Sequence, residues 1–85
     1  MSCFVYIVQC TDGFLYTGIT ANLQKRVREH NCGLGSPVTK NRTPISLAYW
    51  EKLSTRKLAA KREKEIKGWR REKKENLIKN QDSLH

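Results

Sequence analysis

Two short runs rich in β-branched and aromatic residues, Cys3 to Cys10 (CFVYIVQC) and Phe14 to Ile19 (FLYTGI), are separated only by Thr11, Asp12 and Gly13. That spacing constrains the chain more than any other feature, because a loop this short joins antiparallel neighbours and nothing else. A three-residue hairpin loop needs its last position left-handed, and Gly13 fills it without a steric penalty. With Cys10 opposite Phe14, the pairing continues as Val8 with Tyr16 and Tyr6 with Gly18, so Tyr6 and Tyr16 share a face as diagonal neighbours. Gly18 opposite Tyr6 leaves a gap in the side-chain layer where an anion or phosphate group could approach the backbone. A two-residue Asp12-Gly13 turn would instead shift the pairing by one and place the phenols on opposite faces.

After the hairpin, Thr20 is suited to cap a helix from about Ala21 to His30 or Asn31 that ends before Gly33 and Gly35. Leu23, Arg26 and His30 fall within roughly 60° of one another on a helical wheel, which directs Arg26 and His30 toward the sheet edge. Residues 32–44 (CGLGSPVTKNRTP) have the Gly, Pro, Ser, Thr and Asn density of a loop. Ile45 to Trp50 (ISLAYW) is a third strand by composition. Ser54 or Thr55 opens a long helix with Leu58, Ala59, Ile66 and Trp69 on one side, Gly68 interrupts it, and a short last helix runs from about Arg70 to Leu77 or Ile78. The order is β-β-α-β-α-α, an α+β fold in which helices pack on a small antiparallel sheet. Residues 1–80 are expected to form one domain, and 81–85 a frayed tail.

Charge points to the partner. Seventeen Lys and Arg against eight Asp and Glu in 85 residues leave a formal net charge of +9, so a polyanion is the expected ligand. The stretch from Lys52 to Lys79 alone holds twelve basic and four acidic residues. The run Arg70, Arg71, Lys73, Lys74 has the composition of a strip that follows a nucleic-acid backbone, and Lys40 and Arg42 add to it from the loop. No apolar run reaches the roughly 18 to 20 residues needed to cross a bilayer. The start of the chain has neither a basic segment nor a small-residue cleavage site, so a cytoplasmic location is expected. Three cysteines, Cys3, Cys10 and Cys32, without a CxxC pair suggest neither a disulfide framework nor structural zinc.

Five polar residues border the apolar stripes: Tyr6 and Tyr16 on the hairpin, Arg26 and His30 on the first helix, and Glu63 on the second. Glu63 lies about 40° from Ala59 and 60° from Ile66 around its helix, a lone carboxylate among Lys61, Arg62 and Lys64. Phosphodiester cleavage needs a hard cation, an activated water and a cationic clamp on the phosphate. Glu63, a phenol or His30, and Arg26 are residues of the right kinds. Each has an ordinary reading as well: tethered strand aromatics, a solvated arginine, a histidine at the negative end of a helix dipole, and a glutamate paired along its own helix. Trp50 and Trp69 read as core or sheet cover, and Arg62 falls near the middle of the apolar stripe of its helix.

The motifs Val5-Tyr6-Ile7 and Tyr16-Thr17-Gly18, followed by Arg26, His30-Asn31 and Glu63 in that order, resemble the GIY-YIG nuclease superfamily over about Phe4 to Ile78. The likeness is greatest to small stand-alone bacterial members. It implies a three-stranded antiparallel sheet flanked by helices, and a one-metal hydrolysis of DNA leaving a 5′-phosphate and a 3′-hydroxyl. By the same resemblance Tyr6 helps activate water, Tyr16 orients the phosphate or water, Arg26 stabilises the transition state, His30 moves a proton or holds a phosphate, and Glu63 is the sole protein ligand of Mg²⁺ or Mn²⁺. Gly18, Lys25, Asn31, Lys40, Arg42, Arg70, Arg71 and Lys74 are then expected to hold DNA, branched or single-stranded substrates included, with a partner protein as a source of specificity. The literal signatures are altered to VYI and YTG. Ile19 and Thr20 stand where some relatives, repair nucleases among them, carry a lysine, so His30 or Lys25 would take over its part. A phenol is a poor base near pH 7, and the expectation is that Arg26, His30 and the metal lower its pKa. The alternative is a nucleic-acid-binding module that keeps this fold without turnover.

Overall fold

The computed structural model describes residues 2–37 and 39–80; the tail expected over 81–85 lies outside them. The elements are β1 (Cys3–Gln9), β2 (Leu15–Thr20), α1 (Leu23–Asn31), β3 (Ser46–Leu53), α2 (Arg56–Lys67) and α3 (Arg71–Lys79). The strands form one antiparallel sheet in the order β2-β1-β3. The hairpin takes the three-residue form: Cys10 N–H donates to Phe14 O at 2.9 Å, and Gly13 sits at φ +87°. Val8 pairs with Tyr16 and Tyr6 with Gly18, so the two phenols share a face.

Alternation along β1 divides the core in two. Cys3, Val5 and Ile7 face Ala59 and Ile66 of α2, with Leu77 and Ile78 of α3 packed alongside. Tyr6, Val8 and Cys10 face the other way, where Leu23 and Val27 of α1, Tyr16, Ile45 and Trp50 cover them. Pairing of β1 with β3 is irregular between Ile7 and Val8, where Tyr49 and Leu47 are the successive partners. Before this bulge, Tyr49 opposite Ile7 and Trp50 opposite Tyr6 alternate regularly, so Tyr49 enters the first cluster and Trp50 the second.

Element boundaries differ from the sequence reading at the start of α1 and the end of β3. Asn22, not Thr20, caps α1: its side chain accepts from Lys25 N–H at 3.0 Å, while Thr20 Oγ1 accepts from Asn22 N–H at 3.1 Å and sets up the cap. Both residue types can cap, and the one nearer the helix does so. β3 runs to Leu53 because Cys3, Phe4 and Val5 supply partners for Leu53, Lys52 and Glu51. Polar residues there extend a strand that composition alone would stop at Trp50. α2 starts as expected, with Thr55 capping Leu58 N–H at 3.2 Å.

Arg62 also finds its account. Its Nε donates to Glu51 Oε1 at 2.6 Å, Nη1 pairs with Glu65, and the guanidinium lies 5.1 Å from the centre of the Trp69 ring. Lys73 Nζ sits 4.2 Å from the same ring, so Trp69 is flanked by two cations. Glu51 also accepts from the buried Tyr49 hydroxyl at 2.7 Å, and burial with this carboxylate pushes that phenol up to about 12. Trp50 packs edge-on against Phe4.

Candidate active site

The face shared by the phenols is closed by α1. Arg26 and His30 are one turn apart, and their side chains converge on one atom, the hydroxyl oxygen of Tyr6. Arg26 Nε donates to it at 3.2 Å, and His30 Nε2 lies 2.9 Å away. The His30 ring stands edge-on to both phenols, 5.9 Å from the centre of Tyr6 and 5.3 Å from that of Tyr16. Its other nitrogen, Nδ1, is 2.8 Å from Thr39 Oγ1. Arg26 is held at its far end by Gly35 O at 2.7 Å and Glu29 at 3.4 Å.

Burial sets the electrostatics. Tyr6 is 1% exposed and His30 0%. Burial raises the Tyr6 phenol above its usual range despite the opposing hydrogen bond and charge of Arg26, with Tyr16 and Glu63 adding to the rise. The expected lowering is thus reversed in the protein alone, since desolvation of a phenolate outweighs one guanidinium. Burial also lowers His30, reinforced by Arg26 and partly opposed by Glu29, so the ring is neutral near pH 7.

Glu63 comes from the opposite side of the sheet, yet its charge acts on Tyr6. Its side chain is 21% exposed, with one oxygen 3.4 Å from Lys67 Nζ. Among the described residues no three His, Cys, Asp or Glu side chains gather to hold a metal. A hard, partly exposed carboxylate suits Mg²⁺ or Mn²⁺, which use one or two carboxylates and complete their shells with water and phosphate oxygens.

The remaining predicted residues divide. A Cβ on Gly18 would stand 2.6 Å from Tyr6 Oη and 2.8 Å from Cζ. The gap foreseen for a phosphate is filled by the Tyr6 ring, which lies across its cross-strand glycine. Asn31 is engaged by the main chain of Ile45, accepting from N–H at 2.7 Å and donating to O at 3.3 Å, so it anchors the loop to the helix end. Lys25 and Arg26 line a polar cleft of about 370 Å³ with Asn22, Glu29 and Arg56. Lys40 is exposed on the loop. Arg42 is at the hairpin turn, bonded to Asp12 at 2.9 Å and stacked 4.6 Å over Phe14. Arg70, Arg71 and Lys74 belong to the α3 region, which packs on the face opposite the phenols, and Arg71 pairs with Glu75 at 3.6 Å.

Sequence reasoning missed Thr39, Gly35 and Arg56. The first two lie in an aperiodic loop whose path no spacing rule discloses. Arg56 looks like one more cation at a helix start, although the helix phase of Lys25 and the basic N-terminus of α2 were both visible.

A family model described as the GIY-YIG catalytic domain matches residues 2–76. The chain belongs to the GIY-YIG family. Among its relatives, a UPF0213 protein of Haloquadratum walsbyi is 51% identical over 74 residues, covering 87% of this chain and 83% of that one. A UPF0213 protein of Staphylococcus aureus is 51% identical over 76 residues, covering 89% and 93%. The solution NMR structure of a UPF0213 protein from Bacillus halodurans matches with a TM-score of 0.60 and 35% identity, covering 93% of this chain and 84% of that one. GIY-YIG membership places the chain in a nuclease family and fits the fold. No described helix is long and apolar enough to cross a membrane.

Proposed function

We propose that the protein is a divalent-metal-dependent endonuclease that hydrolyses DNA phosphodiester bonds, leaving a 5′-phosphate and a 3′-hydroxyl. The observation that carries this reading is the Tyr6 hydroxyl held between a neutral imidazole nitrogen at 2.9 Å and an arginine Nε at 3.2 Å. A phenol in that position passes its proton to His30 as it takes one from water. The oxygen of that water bonds to phosphorus and the P–O3′ bond breaks; the 3′-oxygen ends protonated from solvent. Arg26 is 28% exposed at its side chain, and an arriving phosphate competes with Glu29 for its guanidinium. That exchange draws the guanidinium from the Tyr6 hydroxyl toward the charge that develops on phosphorus. Tyr16 flanks the same imidazole and orients the phosphate or water. Glu63 would hold Mg²⁺ or Mn²⁺, which supplies positive charge for the phosphate oxygens and for a phenolate. Lys25 and Arg56, beside Arg26, and the basic residues of the loop and α3 supply backbone contacts whose strength falls with salt.

The test is incubation with supercoiled plasmid, branched DNA and single-stranded DNA in Mg²⁺ or Mn²⁺. Cleavage that a chelator abolishes, and that falls about 100-fold or more in Glu63→Ala and Arg26→Ala, is expected. Cleavage unchanged by those substitutions defeats the assignment.

A second reading, a DNA-binding module without turnover, draws on one observation: Tyr6 is 1% exposed and its phenol is raised rather than lowered. Salt-sensitive binding with no cleavage of any of these substrates, and no change on chelation, would favour it.

A further inference from the structure

We propose that the loop between α1 and β3 selects the ring tautomer of His30 through Thr39, leaving Nδ1 protonated and Nε2 bare to receive the proton of Tyr6. Thr39 is then a positioning residue; its consequence for catalysis rests on the nuclease reading, whereas the tautomer follows from the hydrogen bonds alone.

Four groups share a buried chain of contacts, and each proton in it has to be placed. Thr39 Oγ1 donates to Ser36 O at 3.3 Å and lies 2.8 Å from His30 Nδ1. A hydroxyl has one proton, so with that proton on Ser36 O the oxygen is an acceptor, and Nδ1 carries the hydrogen between them. Nε2 is then a bare lone pair 2.9 Å from the Tyr6 hydroxyl, which donates to it. Arg26 Nε–H is directed at a remaining lone pair of that hydroxyl at 3.2 Å. Every proton has an acceptor.

The opposite tautomer fails the same count. With hydrogen on Nε2, the Tyr6 oxygen would accept from both Nε2 and Arg26, and its own proton would have no acceptor among the hydrogen bonds that Tyr6 makes, in a residue only 1% exposed. Buried polar hydrogens are rarely left without partners. The Tyr6 end thus excludes the opposite ring, and the Thr39 hydroxyl, donating to Ser36 O, offers Nδ1–H the acceptor that the selected ring needs.

The loop is shaped for this. Thr39 is 0% exposed although it sits in an aperiodic segment. Its N–H and that of Lys40 also bond Ser36 O, at 3.2 and 3.0 Å, which fixes the turn carrying the hydroxyl. A Cβ on Gly35 would come within 2.6 Å of His30 Cγ, so the chain presses on the imidazole where a side chain has no room. Gly35 O then holds Arg26 at 2.7 Å, so one loop sets both neighbours of the Tyr6 hydroxyl. In the reaction the Tyr6 O–H bond breaks as the Nε2–H bond forms, Nδ1 keeps its hydrogen toward Thr39, and the imidazolium returns its extra proton to solvent in the reset.

The test is ¹⁵N NMR of the imidazole nitrogens in labelled, metal-free and DNA-free protein, with His85→Gln removing the signals of the second histidine. A pyrrole-type Nδ1 and a pyridine-type Nε2 are expected, retained in Thr39→Ser and eroded in Thr39→Val. Hydrogen on Nε2 in the parent protein overturns the inference, as does an unchanged ring in folded Thr39→Val; should that variant not fold, the parent spectrum still decides. In the cleavage assay Thr39→Val should lower kcat about 100-fold at similar KM, with Thr39→Ser restoring it. Undiminished kcat with an altered ring would overturn the role in catalysis. Absence of cleavage in the parent protein would instead defeat the nuclease reading and leave the ring spectrum to decide the tautomer.

Discussion

The phenolic oxygen of Tyr6 stands 2.9 Å from Nε2 of His30, a residue 24 positions further along the chain. That contact joins the central strand to the first helix inside the core, and Arg26 reaches the same oxygen from one turn earlier. The polar atoms at the centre of the site are thus also part of the packing between α1 and the sheet. Substitutions around Tyr6 should therefore separate into those that move the ring and those that change its proton.

Gly18→Ala belongs to the first kind. The new methyl would stand 2.6 Å from Oη and 2.8 Å from Cζ of Tyr6, so the ring must leave its contacts with His30 and Arg26. A loss of about 1–3 kcal/mol in unfolding free energy is expected. Chemical denaturation, with the tyrosine near-ultraviolet signal as a second readout, measures it; unchanged stability would mean that the ring does not rest on this glycine.

Stability should fall as the pH drops below about 6.5. Burial and Arg26 lower the pKa of His30 in the folded chain while Glu29 raises it in part, so the unfolded chain binds the extra proton first. This stabilisation is fully present above the unfolded pKa and is lost as pH falls toward the lower, folded one. Asp12, lowered chiefly by the Phe14 N–H with Arg42 assisting, acts in the same direction, but its window begins near 3.8. Denaturation midpoints between pH 5 and 8 should slope in the parent protein and flatten in folded His30→Gln; equal slopes in the two would contradict the account.

Asn31→Ala should destabilise the fold and leave DNA affinity alone. The amide makes two hydrogen bonds to the Ile45 main chain, and their loss is expected to cost about 1–3 kcal/mol. Binding measured under conditions where the variant is folded should match the parent. A selective loss of DNA binding at full stability would restore the sequence expectation that this residue touches substrate.

Thr17 offers a gain. Its hydroxyl is buried without a hydrogen-bond partner, in a strand position where a β-branched side chain packs well. Thr17→Val should stabilise the protein by about 1 kcal/mol. A lower thermal midpoint would show that the hydroxyl has a partner after all.

Much of this was legible in the sequence because short-range rules govern it. The three residues after Cys10 set the hairpin register and hence the shared face of Tyr6 and Tyr16. Helix phase brought Arg26 and His30 to the same side, and Thr55 marked the start of α2. Illegible were the features that depend on distant contacts. The Tyr6 ring fills the space over Gly18, which alternation alone showed as empty. Thr39 and Gly35 reach His30 from a loop with no period, and the extension of β3 past Trp50 needed the partners on β1. The direction of the Tyr6 shift depended on how deeply α1 covers it, and no spacing carries that information.

The proton on Tyr6 decides the central claim. Single-turnover cleavage of plasmid DNA by Tyr6→Phe, in Mg²⁺ or Mn²⁺ and with DNA binding measured in parallel, tests it most directly. The account predicts a rate at least about 100-fold below that of the parent protein at similar affinity. Cleavage by Tyr6→Phe at the parent rate would contradict it.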